Sequence, residues 1–149
     1  MMTFEVSREI LPGGVVQLTS DGCTFRYCSP SSGVLHISIS GHDKGQFGSS
    51  SLDEILGAIM REGKILLLVD ARNVSGIAVT VSDLWTKFFS LNKERLERVH
   101  VLVNSGYTQL TMAIAQHLSG TGDLIKIHSD ERTFDRIVSS MGKTIGRKH

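Results

Sequence analysis

The chain is short of cysteine, has no surplus charge of either sign, and contains no apolar run long enough to cross a membrane. Each shortage removes a class of function. Its two cysteines, Cys23 and Cys28, both lie in CTFRYC. Read as an extended strand, that stretch holds them about 16 Å apart on opposite faces, too far for a disulfide. The six histidines are scattered, with no His-x-His or Cys-x-x-Cys spacing, so no metal site is expected. Charge is balanced at 16 Lys+Arg against 15 Asp+Glu, and the densest charged stretch, Lys93-Glu94-Arg95-Leu96-Glu97-Arg98, alternates in sign. A nucleic-acid partner is therefore not expected. The first residues, MMTFEVSREILPGG, carry Glu5 and Glu9 and no long apolar run. Neither a signal peptide nor a membrane span is expected, and the expected location is cytoplasmic.

Catalytic signatures are equally scarce. Gly142-Lys143-Thr144 resembles the end of a phosphate loop, but Ile137 stands where the loop needs its first glycine. Ser119-Gly120-Thr121-Gly122-Asp123 follows a helical pattern and precedes a strand, the reverse of a dinucleotide fingerprint, and reads as a helix C-cap. No Gly-x-Ser-x-Gly is present, so the nucleophile elbow of a hydrolase is missing. The sequence offers no catalytic residues and no cofactor site, and the expectation is a protein that is not an enzyme.

What is present is a strong alternation of patterns. A length of 149 residues fits one domain over 1–149. Turns at Pro12-Gly13-Gly14 and Ser20-Asp21-Gly22 separate TFEVSREI, VVQLT and CTFRYC, so the start of the chain reads as antiparallel strands, with 1–20 an extension. In GVLHISIS, Leu35, Ile37 and Ile39 share one face, and His36 lies on the other and is expected to be solvent-facing or lightly packed rather than a ligand. From there the period lengthens. Ser51-Leu52-Asp53-Glu54 reads as a capping box, followed by Ile55, Leu56, Ile59 and Met60 at helical spacing, with Gly63 as the stop. ILLLV (65–69) has no polar alternation, as expected of a parallel strand covered on both faces. Ser82-Asp83 opens a second helix carrying Leu84, Trp85, Phe88, Phe89 and Leu96. VHVLV (99–103), a third helix through Leu110, Ala113, Ile114, His117 and Leu118, LIKIH (124–128), and a helix with Phe134, Ile137, Val138 and Met141 ended by Gly142 complete the pattern. The fold class is α/β: a mixed sheet with parallel core strands, about four helices and antiparallel strands at the start, with 143–149 as a basic tail.

In such sheets ligands collect where the parallel strands end, because strand ends and helix N-termini present free N–H groups there. The stretch KILLLVDARNVSGI reads as a strand that stops at Asp70 and becomes a polar turn. The binding edge is accordingly placed at Asp70, Arg72, Asn73, Asn104 and Ser105, on loops where a charge reversal would cost no more than about 0.5 kcal/mol of stability. Residues of this type also serve as plain turn and cap residues.

Taken together, GVLHISISG, KILLLVDARNVSGI, SDLWTKFF, RVHVLVNSG and DLIKIHSDERTFDRIV resemble the STAS domain of anti-sigma-factor antagonists and its SEC14-type relatives over about residues 20–142. The resemblance implies a non-enzymatic regulatory or scaffold module that binds a protein partner. It also implies a phosphoacceptor at a helix start. Thr80-Val81-Ser82-Asp83-Leu84 puts Ser82 in that place, and Ser75-Gly76-Ile77 copies the motif's ending with Ser75. Thr80 and Asp83 depart from the motif, and Ser82 also reads as an ordinary N-cap. The alternative function is a carrier or sensor of a small apolar ligand or lipid, with Trp85, Phe88, Phe89 and Tyr107 lining a groove; core packing is the competing reading of these aromatics. Homodimer formation stays open.

Overall fold

The computed structural model describes residues 5–104 and 123–146. Seven strands form one mixed sheet whose spatial order follows the chain: β1 (Ser7–Leu11), β2 (Val15–Ser20), β3 (Cys23–Ser31), β4 (Val34–Asp43), β5 (Ile65–Ile77), β6 (Leu96–Val103) and β7 (Ile125–His128). The first four run antiparallel, and β4 to β7 are parallel. Three α-helices occur among the described residues: α1 (Ser50–Glu62), α2 (Val79–Leu91) and α3 (Glu131–Gly146). The helix expected through Leu110 to Leu118 lies outside the described residues.

Local chemistry explains the meander. Asp21 and Gly22 form the two-residue link between β2 and β3, both with positive φ (45° and 79°), as the twist of a tight hairpin requires. Gly41 on β4 is obligatory for another reason: a Cβ there would sit 2.2 Å from the Gly22 carbonyl oxygen. The polar and apolar alternation of CTFRYC persists, with Cys23, Phe25 and Tyr27 buried.

The two faces of the sheet are covered differently. Leu35, Ile37, Leu67, Val69, Val99 and Val101 face α1 and α2, in a core that also holds Phe25, Ile55, Ile59 and Phe89. The opposite face packs Val34, Leu68 and Leu102 under Phe134 of α3, with Ile137, Val138 and Met141 alongside. Leu67 and Leu68 therefore serve opposite cores, which is why ILLLV shows no alternation. His36 is half-buried on the α3 face, 6.5 Å from the Phe134 ring, the packed one of its two expected placements.

Several boundaries differ from the spacing. α1 begins two residues earlier than the capping box implied: its N-cap is Ser49, whose hydroxyl donates to Asp53 at 3.0 Å. Ser51 is instead buried inside the helix, where its carbonyl accepts from the Tyr27 hydroxyl at 2.9 Å, and Glu54 pairs with Arg8 of β1. Gly63 closes α1 as expected, donating its N–H to Ile59. α2 stops at Leu91, because the backbone and side-chain N–H groups of Asn92 both cap the Phe88 carbonyl, so Leu96 opens β6 and leaves the helix phase. α3 continues past Gly142 to Gly146, taking in the start of the expected tail. A helical glycine costs about 1 kcal/mol but does not block the helix.

Both cysteines are free, Cys23 buried and Cys28 partly so. Burial, with the Asp43 carboxylate second, pushes the Cys23 thiol up to about 12, and burial raises that of Cys28. Thiol titration in denaturant without reductant should count two, and the folded protein should react far more slowly than a free thiol because little thiolate is present. A count of zero in denaturant would overturn the strand geometry.

Candidate docking surface

The largest departure from the sequence reading lies at the site itself. β5 does not stop at Asp70; it continues to Ile77, so Arg72, Asn73 and Ser75 are strand residues rather than loop residues. The cause is the length of β4, which supplies pairing for the extra residues: Ser40 faces Asn73, Gly41 faces Val74, and Asp43 faces Ile77. Two register shifts between Ser38 and His42 absorb the mismatch and re-aim the side chains. Ala71 and Val74 remain buried while Asn73 and Ser75 are exposed.

Asp70 and Arg72 form a tight pair. The Arg72 Nε donates to both Asp70 carboxylate oxygens at 3.0 Å, and its Nη2 donates to Asp70 at 2.9 Å and to Asp135 of α3 at 2.8 Å. Glu131 stands 3.7 Å from the Nη1. Hydrogen bonds to Asp70 and Asp135 raise the Arg72 pKa further, so this guanidinium stays charged and engaged. Arg72 thus ties the sheet to the first turns of α3, a role that no spacing in KILLLVDARNVSGI could reveal.

The other site residues fall in different places. Asn104 follows β6 and is exposed, whereas Ser105 and Tyr107 lie outside the described residues. Ser82 is not an N-cap. Because β5 uses up the expected turn, only Ala78 separates strand from helix, and Ala78 takes the N-cap position while its carbonyl accepts from both Val81 and Ser82. Ser82 is inside α2 and 8% exposed. Ser75 is exposed on β5, away from any helix start. Trp85 and Phe88 are half-buried and Phe89 buried. Trp85 stacks on Phe25 at 6.2 Å and meets Phe89 edge-on at 5.8 Å, so these rings fill the space between α2 and the sheet.

α2 also carries apolar residues where solvent meets it. Val79 is 72% exposed, Leu84 46% and Leu91 83%. Leu84 was expected on the core face, but α2 turns Val81, Ser82, Trp85 and Phe89 to the sheet, and Leu84 falls outside that stripe. Leu84 and Leu91 are seven residues apart, two turns of helix, and therefore share one line along its surface. This line, with the exposed Thr80, Asp83 and Lys87 beside it, is the most apolar helix face left uncovered among the described residues.

No group of three His, Cys, Asp or Glu side chains among the described residues is placed to hold a metal ion, and no described helix is long and apolar enough to cross a membrane.

No protein-family model matches the chain, and no curated protein is significantly similar in sequence. Solved structures do match. An uncharacterized DUF3478-family protein with a SpoIIAA-like fold from Shewanella loihica superposes with a TM-score of 0.51 at 13% identity, covering 92% of this chain and 94% of that one. The anti-sigma factor antagonist SpoIIAA in its unphosphorylated form gives 0.52 at 15% identity, over 77% of this chain and 96% of its own. An anti-sigma factor antagonist from Mycobacterium paratuberculosis gives 0.51 at 18% identity, over 78% and 94%. At these identities the likeness is one of fold: the chain has the SpoIIAA-like, STAS-type architecture, a seven-stranded mixed sheet with antiparallel strands first and parallel strands after.

Proposed function

We propose that this protein is a non-enzymatic regulatory module that docks a protein partner through the outward face of α2. The observation that carries the reading is the exposed Leu84 and Leu91 line. Burying two leucines against a partner is worth about 1.5–3 kcal/mol each, whereas leaving them in water gains nothing for the fold. Asp83 and Lys87 supply a charged border of the kind that sets register and specificity. The SpoIIAA-like fold supports the same reading, since two of the matching structures are anti-sigma factor antagonists by name. The carrier reading has less support, because Trp85 and Phe89, the aromatics assigned to a groove, are spent on Phe25 and on each other.

Affinity capture from the native lysate tests the proposal. Wild type is compared with Leu84→Lys and Leu91→Lys, and with Ile10→Lys, which changes an apolar residue on β1 whose exposure lies between those of the two leucines. Proteins captured by wild type and Ile10→Lys should be lost from both α2 variants by about tenfold or more, with melting temperatures unchanged. Retention of the same proteins by all four forms would overturn the α2 face as the docking surface.

A further inference from the structure

We propose that α3 is a proton-released clasp, held on the sheet at neutral pH by uncharged histidines and loosened by mild acid. Three histidines lie on the sheet face that α3 covers. His100 of β6 and His128 of β7 come from adjacent strands, with Nδ1 of the first 2.9 Å from Nε2 of the second. That contact is a hydrogen bond only while one nitrogen carries a proton and the other offers a lone pair. His128 also packs edge-on to Phe134 at 6.1 Å, and His36 approaches the same ring from β4. Phe134 is the anchor of α3, so the ring that seats the helix rests between imidazoles.

The surroundings resist charging that pair. Around His100 stand Arg98 on its own strand and Lys126 and His128 on β7, all cationic or able to become so, and α3 contributes the apolar Phe134 ring against His128. His36 is set differently. The Cys28 thiol of β3 is 3.8 Å away, Asp70 and Arg72 act from β5, and Asp135 acts from α3. Burial is the first cause of the lowered pKa at all three, and around His100 and His128 the cationic neighbours add to it. The sign follows directly. A histidine whose pKa is depressed in the docked state binds its proton more readily once released. Stability of the docked state is therefore full above the free value of about 6.5 and is lost as pH falls through the docked values. A doubly protonated pair would put two N–H cations about 3 Å apart with no hydrogen bond between them.

The release is local because the two cores are unequal. α3 rests on the small cluster of Val34, Leu68 and Leu102, while α1 and α2 share the larger core on the other face. A helix seated on so few buried partners opens at lower cost than the helices of the larger core. Opening would expose Val34, Leu68 and Leu102, an apolar strip that neutral pH keeps covered.

Amide hydrogen exchange between pH 7.5 and 5.5, corrected for intrinsic rates, tests the clasp. In wild type, protection in α3 should fall about tenfold or more beyond any fall in α1, the ratio for one pKa unit of linkage. In His100→Gln and His128→Gln, which cannot form the charged pair, the extra loss should shrink. Equal losses in α1 and α3, or an α3 loss unchanged in both variants, would overturn the proposal. Should either variant fail to fold at pH 7.5, titration of the wild-type histidine ring protons decides: values for His100 and His128 at or above 6.5 would overturn it, and values below would sustain it.

Discussion

Phe134→Ala is expected to destabilise the protein by about 3–5 kcal/mol, the range for emptying a fully buried aromatic site. Phe134 is 0% exposed and is the largest side chain between α3 and the sheet, seated over Val34, Leu68 and Leu102. Little can move in to fill the space: Ile137, Val138 and Met141 already pack against the same cluster, and the strands beneath are pinned by pairing on both sides. Against a total stability of about 5–15 kcal/mol, the loss is a large share. Urea unfolding measures it. The m-value should be unchanged if the whole fold weakens and should drop if α3 detaches in the native state, since less surface is then left to expose. A cost below about 1 kcal/mol would mean that α3 is not seated by this residue, and the clasp would lose its anchor.

Arg72→Glu should cost about 2–3 kcal/mol, where the sequence alone predicted at most about 0.5 for an exposed loop charge. The substitution removes a guanidinium that makes three hydrogen bonds to Asp70 and one to Asp135, and inserts a fourth carboxylate among Asp70, Glu131 and Asp135. Breaking a fully buried pair costs about 3–5 kcal/mol. The value here is set lower because the Arg72 side chain is 25% exposed and water screens part of the repulsion. Two controls separate charge from packing. Arg72→Met should cost less, since it keeps the stem and adds no negative charge. Raising salt to about 1 M, where the screening length falls to about 3 Å, should recover part of the Arg72→Glu deficit and little of any deficit in Arg72→Met. A melting temperature for Arg72→Glu equal to wild type would show that Arg72 does not tie β5 to α3.

These two residues mark how far the sequence could be read. Phe134 was legible: with Ile137, Val138 and Met141 it repeats at helical spacing, and such a stripe must be covered. Arg72 was misread because its role depends on a carboxylate 63 positions away, Asp135. Ser82 was misread for a related reason. Ser-Asp before an apolar stripe is good capping chemistry, but a cap exists only where the preceding chain is not already helical, and the length of β5 settled that point.

For the described residues the sequence set the order and type of the strands and helices, because alternation of period 2, apolar runs and helical spacing are properties of the local chain. It determined the hairpin at Asp21-Gly22 and the stop at Gly63 on the same ground. Tertiary structure decided the rest. A strand ends where its partner stops offering hydrogen bonds, so the ten residues of β4 carried β5 on to Ile77 and moved the start of α2. Parallel register likewise brought His100 to His128 across 28 positions. Nothing near either histidine announces the other, because the contact is made by strand pairing and by the helix that covers both.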